Sequence, residues 1–204
     1  MTKSPALEPL LSEISRCQLC AADLPLGPRP VLRAGAAARL LIIGQAPGTK
    51  VHASGIPWDD PSGDRLRDWL QIGADVFYDQ NKVAIMPMGF CYPGRLPKGG
   101  DRPPRPECAP AWHADLLRHL PNIELCVLAG AYAQAYYLPD RRAGGRAGPG
   151  KGTVTETVRA WRDHGPRFLP LPHPYWRTKS WQKRNPWFDE EVLPALRQRV
   201  REIL

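Results

Sequence analysis

Arg39-Leu40-Leu41-Ile42-Ile43-Gly44-Gln45-Ala46-Pro47-Gly48 is the stretch from which the rest of the chain is read. Its first half is a short unbroken apolar run, the pattern of a strand buried on both faces of a parallel sheet. Its second half breaks sharply, because Gly44, Pro47 and Gly48 permit a tight turn and a close backbone approach to a ligand. Ligands of open α/β sheets bind just beyond the carboxyl ends of strands, where this loop would sit. Gln45 is the polar group it offers.

Outward from that strand, three more apolar runs follow: 82–86, closed by Pro87, then 125–130 and 167–171. Helical spacing fills the intervals. Leu66, Trp69 and Leu70 share one side of a helix over 64–72, with Asp60 and Pro61 as its cap and first turn. Trp112, Leu116 and Leu120 mark a helix over 107–120, and short helices are expected over 131–138 and 153–163. Val192, Leu196, Val200 and Ile203 point inward from a last helix over 189–203, and Leu10, Leu11 and Ile14 mark one near the start. Strands alternating with helices predict one α/β domain over 1–204, with a parallel sheet covered on both faces. Polar residues 49–60 read as a loop, 89–106 as a long proline-rich irregular segment, and 140–152 as a flexible basic loop.

The chain has 204 residues, 24 of them proline, and a formal charge of +8, which favours an anionic partner, nucleic acid first. No apolar run approaches the roughly 20 residues that span a membrane, and no signal peptide opens the chain. A soluble, cytoplasmic monomer is expected. Its five cysteines then read as ligands or core residues rather than disulfides.

Four of those cysteines form two pairs, Cys17-x2-Cys20 and Cys91-x16-Cys108, the second bracketing the proline-rich segment. Four thiolates suit zinc or an iron–sulfur cluster. Cys126 lies inside an apolar strand and reads as core. His173 stands between Pro172 and Pro174, which hold the imidazole at the carboxyl edge of the sheet. After it, Tyr175, Trp176, Arg177, Lys179 and Trp181 begin an aromatic and basic run that suits nucleic acid, cations on phosphates and flat rings on bases.

With Gly44-Gln45-Ala46-Pro47-Gly48 after the first strand and His173-Pro174 after the last, the chain resembles the uracil-DNA glycosylase superfamily. Cys17, Cys20, Cys91 and Cys108 match, in order and approximate spacing, the branch that carries an iron–sulfur cluster, often called family 4. The resemblance implies a three-layer α/β/α sandwich around a four-stranded parallel sheet. It implies hydrolysis of the N-glycosidic bond of uracil flipped out of DNA, with a 4Fe-4S cluster on the four cysteines. Gln45, with Gly44, Ala46, Pro47 and Gly48, matches the loop that contacts base or water. Trp58 falls where an aromatic ring stacks on the base, His173 matches the histidine that hydrogen-bonds the base O2, and 175–181 corresponds to the loop that enters the duplex.

Three departures stand out. Ala46 replaces the family's activating aspartate, and Met86-Pro87-Met88-Gly89 replaces the stretch whose asparagine reads uracil, which puts Met88 at the base. His-Pro-Tyr replaces His-Pro-Ser. Asp59 or Asp60 could supply the missing carboxylate, Asp60 also reading as a helix cap. Three functions remain open on these residues: a monofunctional glycosylase acting on uracil or a related deaminated base, a DNA-binding member of the same fold without catalysis, and a nucleotide- or redox-active metalloprotein that does not touch DNA.

Overall fold

A computed structural model describes residues 7–138 and 152–204. In chain order its elements are α1 (Leu7–Ser15), β1 (Leu40–Ile43), α2 (Thr49–Ser54), α3 (Pro61–Leu70), α4 (Ala74–Phe77) and β2 (Val83–Ile85). There follow α5 (Cys108–Arg118), β3 (Leu125–Ala129), α6 (Ala131–Tyr137), α7 (Val154–Arg159), β4 (Phe168–Leu171), α8 (Thr178–Arg184) and α9 (Leu193–Ile203). The strands lie in the order β2-β1-β3-β4, all parallel, with Leu40 opposite Val83 and Leu125, and Leu128 opposite Pro170.

Every residue of β1, β2 and β3 is buried, as a strand covered on both faces requires. Side chains alternate across the sheet, so each face builds its own core. Leu41, Ile43, Ala84, Cys126 and Leu128 pack with Ile14 of α1, Leu116 of α5 and Ala133 of α6. Leu40, Ile42, Val83, Val127 and Leu169 pack with Leu66 and Trp69 of α3, Val158 of α7, and Leu196, Val200 and Ile203 of α9. The result is the expected three-layer α/β/α sandwich around a four-stranded parallel sheet. Cys126 is a core residue, as its place in the strand predicts.

After β1 the chain runs outward to β2 on one side, then crosses to β3 on the other. The loops leaving β1 and β3 therefore part in opposite directions and open a crevice at the strands' carboxyl ends.

Three local expectations are corrected. Residues 49–60 are not all loop, because α2 forms between Gly48 and the left-handed Gly55. The segment 175–181 is not all loop either, since α8 begins at Thr178. The helix expected over 153–163 ends at Arg159 and passes into a 3-10 turn over Trp161–His164. The basic loop predicted over 140–152 lies outside the described residues up to Lys151.

Candidate functional site

The loop after β1 and the loop after β4 meet on one cavity of about 350 Å³, in the lower part of the usual range for small-molecule sites. Gly44, Gln45, Ala46, Pro47 and Gly48 line it from one side and His173 and Tyr175 from the other, with Trp58, Asp60, Pro87, Gly100 and Asp101 completing the wall. Its two decisive polar side chains, Gln45 and His173, come from opposite ends of the sequence. They meet because β1 and β4 both flank β3 and all three point the same way. Gly130 caps β3 with a φ of +95°, and a Cβ there would stand 3.3 Å from the Cβ of His173. Only a glycine suits both the backbone and the space, and it lets the histidine lie over the end of β3.

His173 is half-buried, and burial pushes its imidazole down to about 4, the charge of Asp60 acting the other way. The ring is therefore neutral at physiological pH and carries one N–H to donate. Its backbone is held firmly. The His173 carbonyl accepts from the Thr178 hydroxyl at 2.6 Å and from the Tyr175 amide at 2.9 Å, and Arg65 of α3 donates to the carbonyl of Tyr175.

Trp58 stands beside it, ring centroids 5.5 Å apart and planes 32° apart. Its φ of 59° places a bulky residue in the left-handed region, a strained conformation that the surrounding fold must enforce. A Cβ at Gly44 would lie 2.6 Å from Cζ2 of this indole. The glycine of the motif loop thus makes room for the ring of another loop.

Gln45 donates its amide to the carbonyl of Arg102 at 3.0 Å, leaving the carboxamide oxygen as the acceptor it offers. Asp60 caps α3 through Oδ1, which accepts from the amides of Ser62 and Gly63, each at 2.9 Å. The cap reading of Asp60 thus holds, and the same residue lines the cavity. Asp59 is exposed and does not line the cavity. Met88 does not line it either. Its side chain lies in the core, because the Met88 amide continues the β1–β2 ladder by donating to Gly44 at 2.9 Å and the strand alternation turns the side chain inward. Pro87 takes that place at the cavity, its carbonyl accepting from Nε2 of the buried His113 at 3.1 Å.

Among the aromatic and basic residues, Tyr175 and Trp176 are exposed, Trp176 at 70 %, with the Arg177 guanidinium 4.9 Å from its ring. Lys179 is exposed on α8. Trp181 is not at the tip of a loop. It donates from Nε1 to the Thr155 hydroxyl at 2.8 Å and packs edge-on against Trp187 and Phe188. A broader groove of about 650 Å³ beyond His173 is lined by Tyr132, Arg177, Trp181 and Arg184.

Cys17, Cys20, Cys91 and Cys108 all line a third, separate cavity, so the fold brings the two sequence pairs together. Burial pushes the Cys91 thiol up to about 11 and that of Cys108 up to about 12. Among the described residues, no three His, Cys, Asp or Glu side chains gather closely enough to hold a metal ion. Two buried donors in that cavity, Arg105 Nε and Trp112 Nε1, have no hydrogen-bond partner among the described residues.

The sequence reading missed Gly100 and Asp101. The signal was there in the length of the proline-rich segment, since loops that long are usually functional or tied down. A comparison with protein-family models places residues 33–197 in a match to the model described as Uracil DNA glycosylase superfamily.

Proposed function

The chain belongs to the uracil DNA glycosylase superfamily, and from that premise we propose that it is a monofunctional DNA glycosylase hydrolysing the N-glycosidic bond of uracil or a related deaminated base flipped out of DNA. The observation that carries this reading is the convergence of Gln45, Trp58 and His173 on one cavity. Breaking the glycosidic bond builds positive charge on the sugar and negative charge on the departing base. The neutral imidazole of His173 donates to the base oxygen as that charge develops. The Trp58 indole stacks on the extruded ring, and the exposed Tyr175 and Trp176 fill the gap in the duplex, offsetting an unstacking cost of a few kcal/mol. Gln45 orients base or water through its carboxamide oxygen.

We place the chain in the iron–sulfur branch. The cavity of four cysteines suits an anionic, sulfur-rich group, because the unpartnered Arg105 Nε and Trp112 Nε1 can donate to sulfur. Zinc is the alternative on the same four cysteines, since four thiolates also suit a structural zinc site. Cys17, Cys20, Cys91 and Cys108 would hold the 4Fe-4S cluster. Bound there, it would tie the first residues and the proline-rich segment together, a structural role. Iron and sulfide analysis with visible absorption of the purified protein checks it: a brown protein with about four irons per chain is expected, and a colourless zinc protein overturns it.

The activity is tested with a duplex bearing one uracil, then hypoxanthine or xanthine, treated with protein and then alkali. Strand cleavage on at least one is expected. The second reading, a DNA-binding member without catalysis, is favoured by Ala46 and by the burial of Met88 where an amide would read the base. Tight binding to uracil or abasic-site DNA with no cleavage would establish it.

A further inference from the structure

The proline-rich segment between Cys91 and Cys108 is not featureless. Arg95 pairs with Asp101 in an antiparallel bridge, the Leu96 amide donates to Gly100 at 2.9 Å, and the Arg102 amide donates to Gly94 at 2.8 Å. These bonds close a hairpin over residues 94–102 that turns at the left-handed Gly99 and Gly100. The hairpin is fastened to the motif loop by the Gln45 amide on the Arg102 carbonyl. Its fastening brings Gly100 and Asp101 into the wall of the cavity that holds His173.

Asp101 is an exposed residue of that wall. Its Oδ2 stands 3.6 Å from where a Cβ on Gly48 would be, so the carboxylate hangs over the loop whose own position 46 is alanine. We infer that Asp101 is a catalytic residue of the hydrolysis proposed above, the carboxylate that holds and deprotonates the attacking water in place of one on the motif loop. This assignment rests on the glycosylase reading and deepens it.

Asp101 and Asp60 divide the work that two carboxylates in one cavity can do. Asp60 has Oδ1 engaged by two backbone amides of α3, which fixes it as the helix cap, and its charge acts on His173. Among the described residues, no hydrogen bond of that kind engages the carboxylate of Asp101. Desolvation of its carboxyl raises its proton affinity, as does the charge of Asp60, while Arg95 lowers it, and Tyr92 feels the charge of Asp101 in turn. A carboxylate made more basic than usual is the better proton acceptor near neutral pH. In the step, the water oxygen bonds to the anomeric carbon as the carbon–nitrogen bond breaks and its electron pair leaves with the base. The water's proton goes to Asp101, and the base anion, hydrogen-bonded by His173, later takes a proton from solvent. Asp101 then returns its own proton to solvent.

The test is single-turnover cleavage of the best deaminated substrate by wild type, Asp101→Asn, Asp101→Glu and Asp60→Asn between about pH 5 and 9, with affinity for an abasic duplex measured alongside. D101N is expected to slow cleavage by on the order of 100-fold or more and to abolish the acid limb of the pH profile. DNA affinity should stay within about two-fold, and D101E should recover part of the rate with an acid limb. D60N should keep the acid limb. An active wild type with D101N within about three-fold of it, or with D101N slower but keeping the wild-type acid limb, overturns the assignment alone. A wild type silent on every deaminated base overturns the glycosylase reading and this assignment with it.

Discussion

Gly44 and Trp58 show how one missing side chain shapes the site. A methyl on Gly44 would stand 2.6 Å from the indole, inside any allowed contact, so Gly44→Ala must drive the ring off His173 or bend the loop. Overpacking of this kind costs ~1–3 kcal/mol. G44A should therefore lower the melting temperature by a few degrees and weaken affinity for uracil-bearing duplex at least ten-fold, as fluorescence anisotropy would read. His113 makes a second residue-scale prediction. It is buried, accepts from the Tyr137 hydroxyl at Nδ1 over 2.7 Å and donates to Pro87 from Nε2, and burial pushes it down to about 4. The unfolded chain takes up that proton below about pH 6.5, while the folded protein takes it up only near 4. Stability is therefore lost as pH falls through this window, by up to about 3 kcal/mol for this ring. Urea unfolding of wild type and His113→Gln at about pH 7 and 4.5 checks it: the variant should start less stable and fall less steeply.

Helix α3 begins where the site begins. Asp60 caps it, Pro61 opens it, and Arg65 one turn on holds the loop that carries Tyr175. Replacing Asp60 with alanine should cost ~1 kcal/mol of stability and asparagine almost none, because both Asp and Asn accept from the first-turn amides. Calorimetry on the pair separates the cap from any chemical duty, since D60N keeps the cap and removes the charge. The cap could be read from the sequence because its bonds span only two and three residues. Helices α2 and α8 could not, because each buries a single residue, Val51 and Thr178, and shows no repeated apolar face. The inward turn of Trp181 depends on Thr155 and Phe188, neither near it on the same helix, and no local pattern announces it.

At the scale of the whole molecule, the formal charge of +8, the exposed Arg177 lining the groove beyond His173 and the exposed Lys179 of α8 predict binding that weakens with salt. The logarithm of the association constant should fall linearly with that of salt concentration, about 0.9 per phosphate engaged, and Arg177→Ala should reduce the slope by about one. Binding to a uracil duplex that does not change with salt would contradict a backbone-tracking groove. No helix of the described residues is long and apolar enough to cross a membrane.

The amino-acid sequence alone determined the sheet, its covering layers and the loops that bear the site. A run such as Leu40 to Ile43 suits a strand buried on both faces of a parallel sheet, and the helical patterns between the runs point to that sheet. It also supplied Gln45, Asp60 and His173 as candidates, since turns, caps and prolines speak through neighbours, and Trp58 through the family resemblance. Tertiary structure alone decided that Met88 and Trp181 face the interior, that Asp59 stays outside, and that Asp101 hangs over Gly48. Those outcomes rest on contacts between residues tens of positions apart, which leave no period, cap or turn signal in the chain that makes them.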